Sequence, residues 1–95
     1  MAMTEGKTAS GFAYSFDPAR LDDMIFVDTL AELANPETPE FEQLVACSKV
    51  LSMMLGKEQK KALYAHIAER SGGRVPVAEL QTELGEIMGN AGKNS

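Results

Sequence analysis

The sequence predicts an all-α fold, a small bundle of about four helices with a short extended segment near the N-terminus. Its 95 residues, 44% of them hydrophobic, suffice for one domain with one core. Two helix starts are marked by a capping residue followed by proline, at Asp17-Pro18 and Thr38-Pro39. Helix ends are expected where proline or glycine interrupts the apolar periodicity, at Asn35-Pro36, Gly56 and Ser71-Gly72-Gly73.

The N-terminal part of the chain divides into a polar tail and an aromatic segment. Residues 1–10 lack periodicity, so we expect a disordered tail, followed by a single helical domain over residues 11–95. Phe12, Tyr14 and Phe16 occupy every second position, which in a strand places the three rings on one side. Because one isolated strand is unstable, this segment must lie across the helices, pair with a second chain, or order on a partner.

Apolar residues at helical spacing define the first two helices. The first is expected from the Asp17 cap to about Ala34, and it is apolar around much of its circumference. Its expected inward stripe consists of Leu21, Met24, Val27, Leu30, Ala31 and Ala34, with Ile25, Phe26 and Leu33 beside it. The second helix runs from Thr38 to Leu55 and carries two apolar rows, and Gly56 is expected to end it with a positive φ angle.

Two further helices complete the expected bundle. The third covers residues 58–70 and ends at the Ser-Gly-Gly sequence. The fourth opens at Val75-Pro76 and has the clearest amphipathic pattern in the chain, at Val77, Leu80, Leu84, Ile87 and Met88. Residues 90–95 are expected to fray into solvent.

Composition excludes several classes of partner and location. The net charge of -5 and the pI of about 4.8 oppose binding to phosphate backbones, and the one tight basic cluster (Lys57, Lys60, Lys61) is small. We therefore expect no nucleic-acid partner. No apolar run approaches the roughly 20 residues that cross a bilayer, so we expect no membrane partner either. A single cysteine, Cys47, permits no internal disulfide, and we expect a protein of the bacterial cytoplasm.

Few residues are available for catalysis. His66 is the only histidine and Cys47 the only thiol, on different predicted helices and without a third residue to orient them. The ligand spacings typical of zinc sites and the glycine pattern of a phosphate-binding loop do not occur. We expect no enzymatic activity, no cofactor and no metal.

Binding to another protein is the function class that remains. The predicted helices offer more apolar surface than so short a chain can bury, and large apolar patches are seldom left uncovered without reason. We expect the partner-binding residues in the second helix and in the aromatic segment, at Val50, Met53, Met54, Phe12, Tyr14 and Phe16. The alternative, in which these side chains form the core or a self-association surface, stays open.

Three segments and the C-terminus resemble one known family. LDDMIFVDTLAEL (21–33), LGKEQKKAL (55–63), GRVPV (73–77) and the terminal GKNS resemble tail assembly chaperones of long-tailed phages and prophages of Gram-positive bacteria. The likeness spans about residues 11–95. It implies a small, acidic, mostly helical protein that binds the tape measure protein, the long helix-rich chain that sets tail length. The chaperone would keep this client soluble until tail-tube subunits replace it.

The resemblance also implies a second gene product. Many members of the family are made in a longer form by a programmed −1 ribosomal frameshift near the end of the gene. Gly92-Lys93-Asn94 is compatible with the codons GGA AAA AAC, which contain the slippery heptamer A AAA AAC.

Two other interpretations of the function of this chain are a small regulatory adaptor or antitoxin-like module, and a structural component of the virion.

Overall fold

The computed structural model describes residues 3–93 and places two strands before three helices. In chain order these are β1 (Thr4–Lys7), β2 (Ala13–Phe16), a 3-10 turn (Pro18–Leu21), α1 (Met24–Ala34), α2 (Glu40–Arg70) and α3 (Val77–Lys93). The strands pair antiparallel, with Thr4 opposite Phe16 and Lys7 opposite Ala13. The sheet packs with β2 against α2 and β1 against α3, so the fold is α+β.

The predicted all-α bundle of about four helices is therefore wrong. Residues 4–10, expected to be part of a disordered tail, form β1 and the turn into β2, while Met1 and Ala2 lie outside the described residues. Residues 13–16, which lie in the segment expected to be extended, form β2. Gly11 ends the turn with a φ of 98°, an angle that glycine adopts without the steric cost of a side chain.

Contacts with the helices stabilise a hairpin that two short strands could not stabilise alone. The ring of Tyr14 lies over Gly6 on the opposite strand, in the space that a Cβ atom would need. The backbone of Ser15 in β2 is hydrogen-bonded to α2. The side chain of Gln59 accepts a hydrogen bond from the Ser15 amide (2.8 Å) and donates one to the Ser15 carbonyl. This amide group of α2 continues the hydrogen-bonding pattern of the sheet beyond β2.

Two aspartates set the start of the first helical segment. Asp17 accepts a hydrogen bond from the amide of Ala19 (2.9 Å), as the sequence predicts, but it caps the short 3-10 turn. The α-helix begins later, after Asp23, whose carboxylate accepts from the amide of Ile25 (2.8 Å). The predicted first helix is thus split, because each aspartate satisfies the free amides of its own helical segment.

Gly56 interrupts α2 and divides it into two packed halves. Its φ of 80° and ψ of 166° lie outside the helical region, and the positive φ confirms the prediction for this residue. This combination of angles is open essentially only to glycine. The predicted second and third helices correspond to the two halves of α2, which runs without an intervening loop.

The core lies where the two halves of α2 meet the hairpin, α1 and α3. Its largest fully buried side chains are Val50, Leu51, Met54, Leu63, Ile67 and Ile87. In α3 the predicted amphipathic pattern holds in its middle, where Leu84 and Ile87 are buried, while Val77 at its start is exposed. Across residues 3–93, the helices are too short or too polar to span a bilayer.

Candidate functional site

The structure places the predicted partner-binding residues inside the protein. Met53 is half-buried. The other five predicted residues are at most 7% exposed: Phe12, Tyr14, Phe16, Val50 and Met54. The three rings share one face of β2, as alternation requires, but that face covers the helices. In this conformation these five side chains belong to the core, which is the alternative that the sequence left open.

The exposed apolar side chains concentrate on α1 and the first turns of α2. Over residues 3–93 the large ones are Met3, Met24, Ile25, Val27, Phe41, Val45 and Val77. Phe41, Ile25 and Met24 have exposed fractions of 75%, 69% and 67%. Scattered apolar residues on a surface are ordinary, but a cluster on consecutive helices is typical of an interaction site.

One face of α1 is an unpartnered apolar stripe. Met24, Val27, Ala31 and Ala34 are exposed and recur every three or four residues, which places them on the same side of the helix. We call these four residues the outer stripe. The sequence prediction put this stripe inward, but the buried face is formed by Phe26 with half-buried Leu30 and Leu33. Because α1 is apolar on nearly every side, periodicity alone could not select the buried face.

An apolar groove runs between α1 and α3. It encloses about 310 Å³ and has Cys47 of α2 at its base. The residues lining this α1–α3 groove are Leu30, Leu33, Cys47, Gln81, Leu84, Gly85 and Met88. Val27 and Ala34 each lie one turn from Leu30 along α1, so the outer stripe borders the groove. Together they form a continuous apolar surface with one polar side chain, Gln81.

A second, smaller cavity lies on the other side of Cys47. It measures about 220 Å³, and its lining residues are Leu44, Cys47, Ser48, Tyr64, Val75, Val77 and Leu80. Burial raises the pKa of the Cys47 thiol, and the ammonium of Lys60 opposes this effect. A thiol held in its neutral form is a poor nucleophile, so its role here is apolar packing. Residues of α3 line both cavities, so this helix packs loosely over the part of α2 around Cys47.

The part of the chain that contains α1 is rich in exposed acidic side chains. From residue 21 to residue 48 the chain has seven acidic residues, no basic residue, and all seven are exposed: Asp22, Asp23, Asp28, Glu32, Glu37, Glu40 and Glu42. Asp28 is one turn from both Met24 and Ala31 of the outer stripe. The compensating positive charge lies mostly in the second half of α2 and the turn after it. The segment of the chain that contains the outer stripe is therefore strongly negative.

A buried polar cluster joins the β1–β2 turn to α3. The Thr8 hydroxyl donates to Glu83 at 2.8 Å, and the Ser10 hydroxyl lies 3.0 Å from both carboxylate oxygens of Glu83. Ser10 is also 3.0 Å from Nε2 of His66, and the amide of Ala9 donates to a second α3 carboxylate. Thr8 and Glu83 are 4% and 3% exposed. We call Thr8, Ser10, His66 and Glu83 the polar clasp.

The polar clasp contains the residue types of a hydrolase triad but not its geometry. In a triad the histidine lies between the acid and the nucleophile, and its imidazole takes the proton of the serine. Here Ser10 lies between His66 and Glu83 and bonds to both. Within residues 3–93 no group of three or more His, Cys, Asp or Glu side chains has the arrangement of a metal site. The clasp therefore supports a structural role, attaching the hairpin to the last helix.

Sequence reasoning missed both the groove and the clasp. The groove brings together helices separated by about half of the chain, and the clasp pairs hydroxyls near the N-terminus with Glu83 near the C-terminus. Neither has a local pattern by which it could have been found. Compared with family models, with curated proteins and with solved structures, the chain has no significant match in any of the three.

Proposed function

We propose that this chain is a tail assembly chaperone of a long-tailed phage or prophage of Gram-positive bacteria. In this proposal it acts in the host cytoplasm, binds the tape measure protein and keeps that protein soluble during tail assembly. Two independent observations support it. The motifs at 21–33, 55–63 and 73–77 resemble that family, and the apolar surface of α1 and the groove is available to a partner helix.

The observation that carries the proposal is the uncovered apolar surface beside a groove between two helices. A tape measure protein presents long amphipathic helices whose apolar stripes would otherwise associate with one another. A groove between α1 and α3 can cover such a stripe by helix-in-groove recognition. The net charge of -5 makes the coated client negative, so that neighbouring complexes repel each other.

Release of the client requires that each contact be weak. The groove encloses only about 310 Å³, so it can hold few partner side chains, which favours modest affinity per copy. When the copies are in excess over the sites on one long client, they would still cover most of its apolar surface. Tail-tube subunits could then displace the copies one at a time.

Co-expression with the tape measure protein that the proposal expects to be encoded downstream tests the proposal. We expect the client to stay in the supernatant when this chain is present and to precipitate when it is absent. A double variant, Val27→Asp with Ala31→Asp, should lose this effect, whereas Ala62→Asp with Ala65→Asp on the exposed face of α2 should keep it. If the client is equally soluble with and without the chain, the proposal fails.

Three observations separate the proposal from its alternatives. A structural virion component would be present in purified particles, whereas an assembly chaperone would be absent from them. A regulatory adaptor or antitoxin-like module would be encoded beside a toxin or transcription factor rather than beside a tape measure gene. An enzyme would lose its function on Cys47→Ala or His66→Ala, and we expect both variants to retain client binding.

The proposal includes a longer, frameshifted product. Its support is the Gly92-Lys93-Asn94 sequence, whose codons can contain a slippery heptamer. The nucleotide sequence tests this directly. A heptamer A AAA AAC at this position, and a larger protein detected with an antibody to the hairpin, are the expected results. Synonymous codons that remove the heptamer should abolish the larger product alone.

A further inference from the structure

We propose that the outer stripe and the α1–α3 groove bind a basic amphipathic helix, a helix with an apolar stripe flanked by lysine or arginine. This inference rests on the proposed function insofar as both use the same surface. It goes further by assigning the chemistry of the bound segment.

Charge complementarity selects a basic partner. All seven charged residues between positions 21 and 48 are acidic and exposed, and Asp28 and Glu32 lie on α1 itself. Within the described part of the chain, the one ion pair is Arg70–Glu79, far along the sequence from this segment. Among the described residues, the carboxylates of α1 thus take part in no ion pair. Lysine or arginine beside the apolar stripe of a docked helix would neutralise them, whereas acidic residues would be repelled.

The lining of the groove suits the apolar side chains of a helix. Its two walls are helices, Leu30 and Leu33 on one side and Leu84 and Met88 on the other, with Cys47 below. At Gly85 a Cβ atom would meet no other atom within 4 Å, so this part of the wall leaves open space for a large apolar side chain of the partner. An amphipathic helix presents such side chains every three or four residues.

A second copy of this chain fits the surface poorly. If two copies met through the same face, seven acidic side chains would oppose seven, which is unfavourable. If the basic part of one copy met the groove of another, it would have to supply apolar side chains as well as charge. Over residues 46–76, all of which the structure describes, no large apolar side chain is exposed. The basic segment Lys57–Lys61 therefore lacks the stripe that the groove requires.

Two synthetic peptides of about 20 residues test the inference, a length above the roughly 12–15 residues below which isolated helices are marginal. They share a leucine stripe at helical spacing and differ in the flanking residues, lysine in one and glutamate in the other. By isothermal titration calorimetry we expect the lysine peptide to bind at least about tenfold more tightly in low salt. The preference should shrink between about 0.01 M and 0.15 M salt, as the Debye length falls from about 30 Å to about 8 Å.

Variants of exposed residues locate the binding site without disturbing the core. Asp28→Lys with Glu32→Lys should abolish or reverse the preference for the lysine peptide, and Glu58→Lys with Glu69→Lys, on exposed positions of α2, should leave it unchanged. Gly85→Leu fills the groove and should weaken binding at least about tenfold. Gly89→Leu is the matched control, since it adds the same side chain to the same helix outside the groove lining.

The outcomes separate this inference from the proposed function. Equal affinity for the two peptides overturns the charge assignment, and no binding of either overturns the groove as a docking site. Dimerisation of the chain that competes with the lysine peptide, measured by sedimentation, overturns the choice of partner over a second copy. Good binding of the lysine peptide with no effect on the co-expressed client would refute the phage role and leave this inference standing. If the chain keeps the client soluble but binds neither peptide, this inference is refuted and the proposed function stands.

Discussion

Replacement of Thr8 by valine tests whether the N-terminal hairpin is an integral part of the fold. The Thr8 hydroxyl donates to the buried Glu83 carboxylate (2.8 Å) and accepts from the amide of Phe12 (3.2 Å). Loss of a hydrogen bond to a charged group costs about 1.5–3 kcal/mol, and an orphaned buried amide costs about 1–3 kcal/mol. The added methyl group of valine recovers about 0.8 kcal/mol. We therefore expect Thr8→Val to lower the free energy of unfolding by about 3 kcal/mol.

Urea unfolding followed by circular dichroism measures this effect. A loss of about 3 kcal/mol corresponds to a decrease in Tm of about 12–24 °C for a domain of this size. Thr82→Val is the matched control, because its exposed hydroxyl bonds within its own helix, to the carbonyl of Ala78, and we expect a change within about 0.5 kcal/mol. In a double-mutant cycle with Glu83→Ala, Thr8→Val should show a coupling of at least about 1 kcal/mol. If Thr8→Val is as stable as the unmodified chain, the clasp does not hold the hairpin.

Three further predictions concern single positions. Gly56→Ala should destabilise the fold by about 1–3 kcal/mol, since its φ of 80° and ψ of 166° suit glycine alone, whereas Gly89→Ala should stabilise the fold by up to about 1 kcal/mol in the same urea titration. Burial raises the pKa of Cys47 in the folded state, so the unfolded chain loses its thiol proton first as the pH rises, and the free energy of unfolding should fall above about pH 9. This decrease should be smaller in Cys47→Ala, measured by unfolding at pH 7 and pH 10. Phe41→Ser should change the unfolding free energy by less than about 0.5 kcal/mol, because the ring is 75% exposed; a larger loss would place Phe41 in the core.

The helical part of the fold could be predicted where local chemistry determines it. The Asp17 carboxylate accepts a hydrogen bond from a free amide at the start of a helical turn, and an aspartate before a proline indicates such a cap. Gly56 has a positive φ because it lacks a side chain, and a glycine at this point of the sequence indicates such an angle. Residues 4–7 could not be assigned to a strand in this way. Thr4, Glu5, Gly6 and Lys7 have no apolar alternation, and their pairing depends on an aromatic strand and on a carboxylate in the last helix.

The candidate site was predictable in kind but not in position. The excess of apolar surface on the helices is a property of composition, and it correctly indicated that some large side chains are exposed. Which ones are exposed depends on the face that each element turns toward the core. Almost every side of α1 is apolar, so its periodicity does not select the buried side. In the aromatic segment the alternation shows that the three rings share a face, but it does not show what covers that face. Tertiary packing determines which faces are buried. It buries Phe12, Tyr14 and Phe16 and leaves Met24 exposed.

The attachment of the hairpin to α3 has a consequence for the order in which the chain can acquire its structure during synthesis. The bond between Thr8 and Glu83 spans 75 positions, so the first strands leave the ribosome long before the residue that secures them. Until then the aromatic strand has no complete binding site, and its three rings remain accessible to other chains or to cellular folding factors. Because contacts between residues so far apart in sequence slow folding, completion of the domain waits for its last helix.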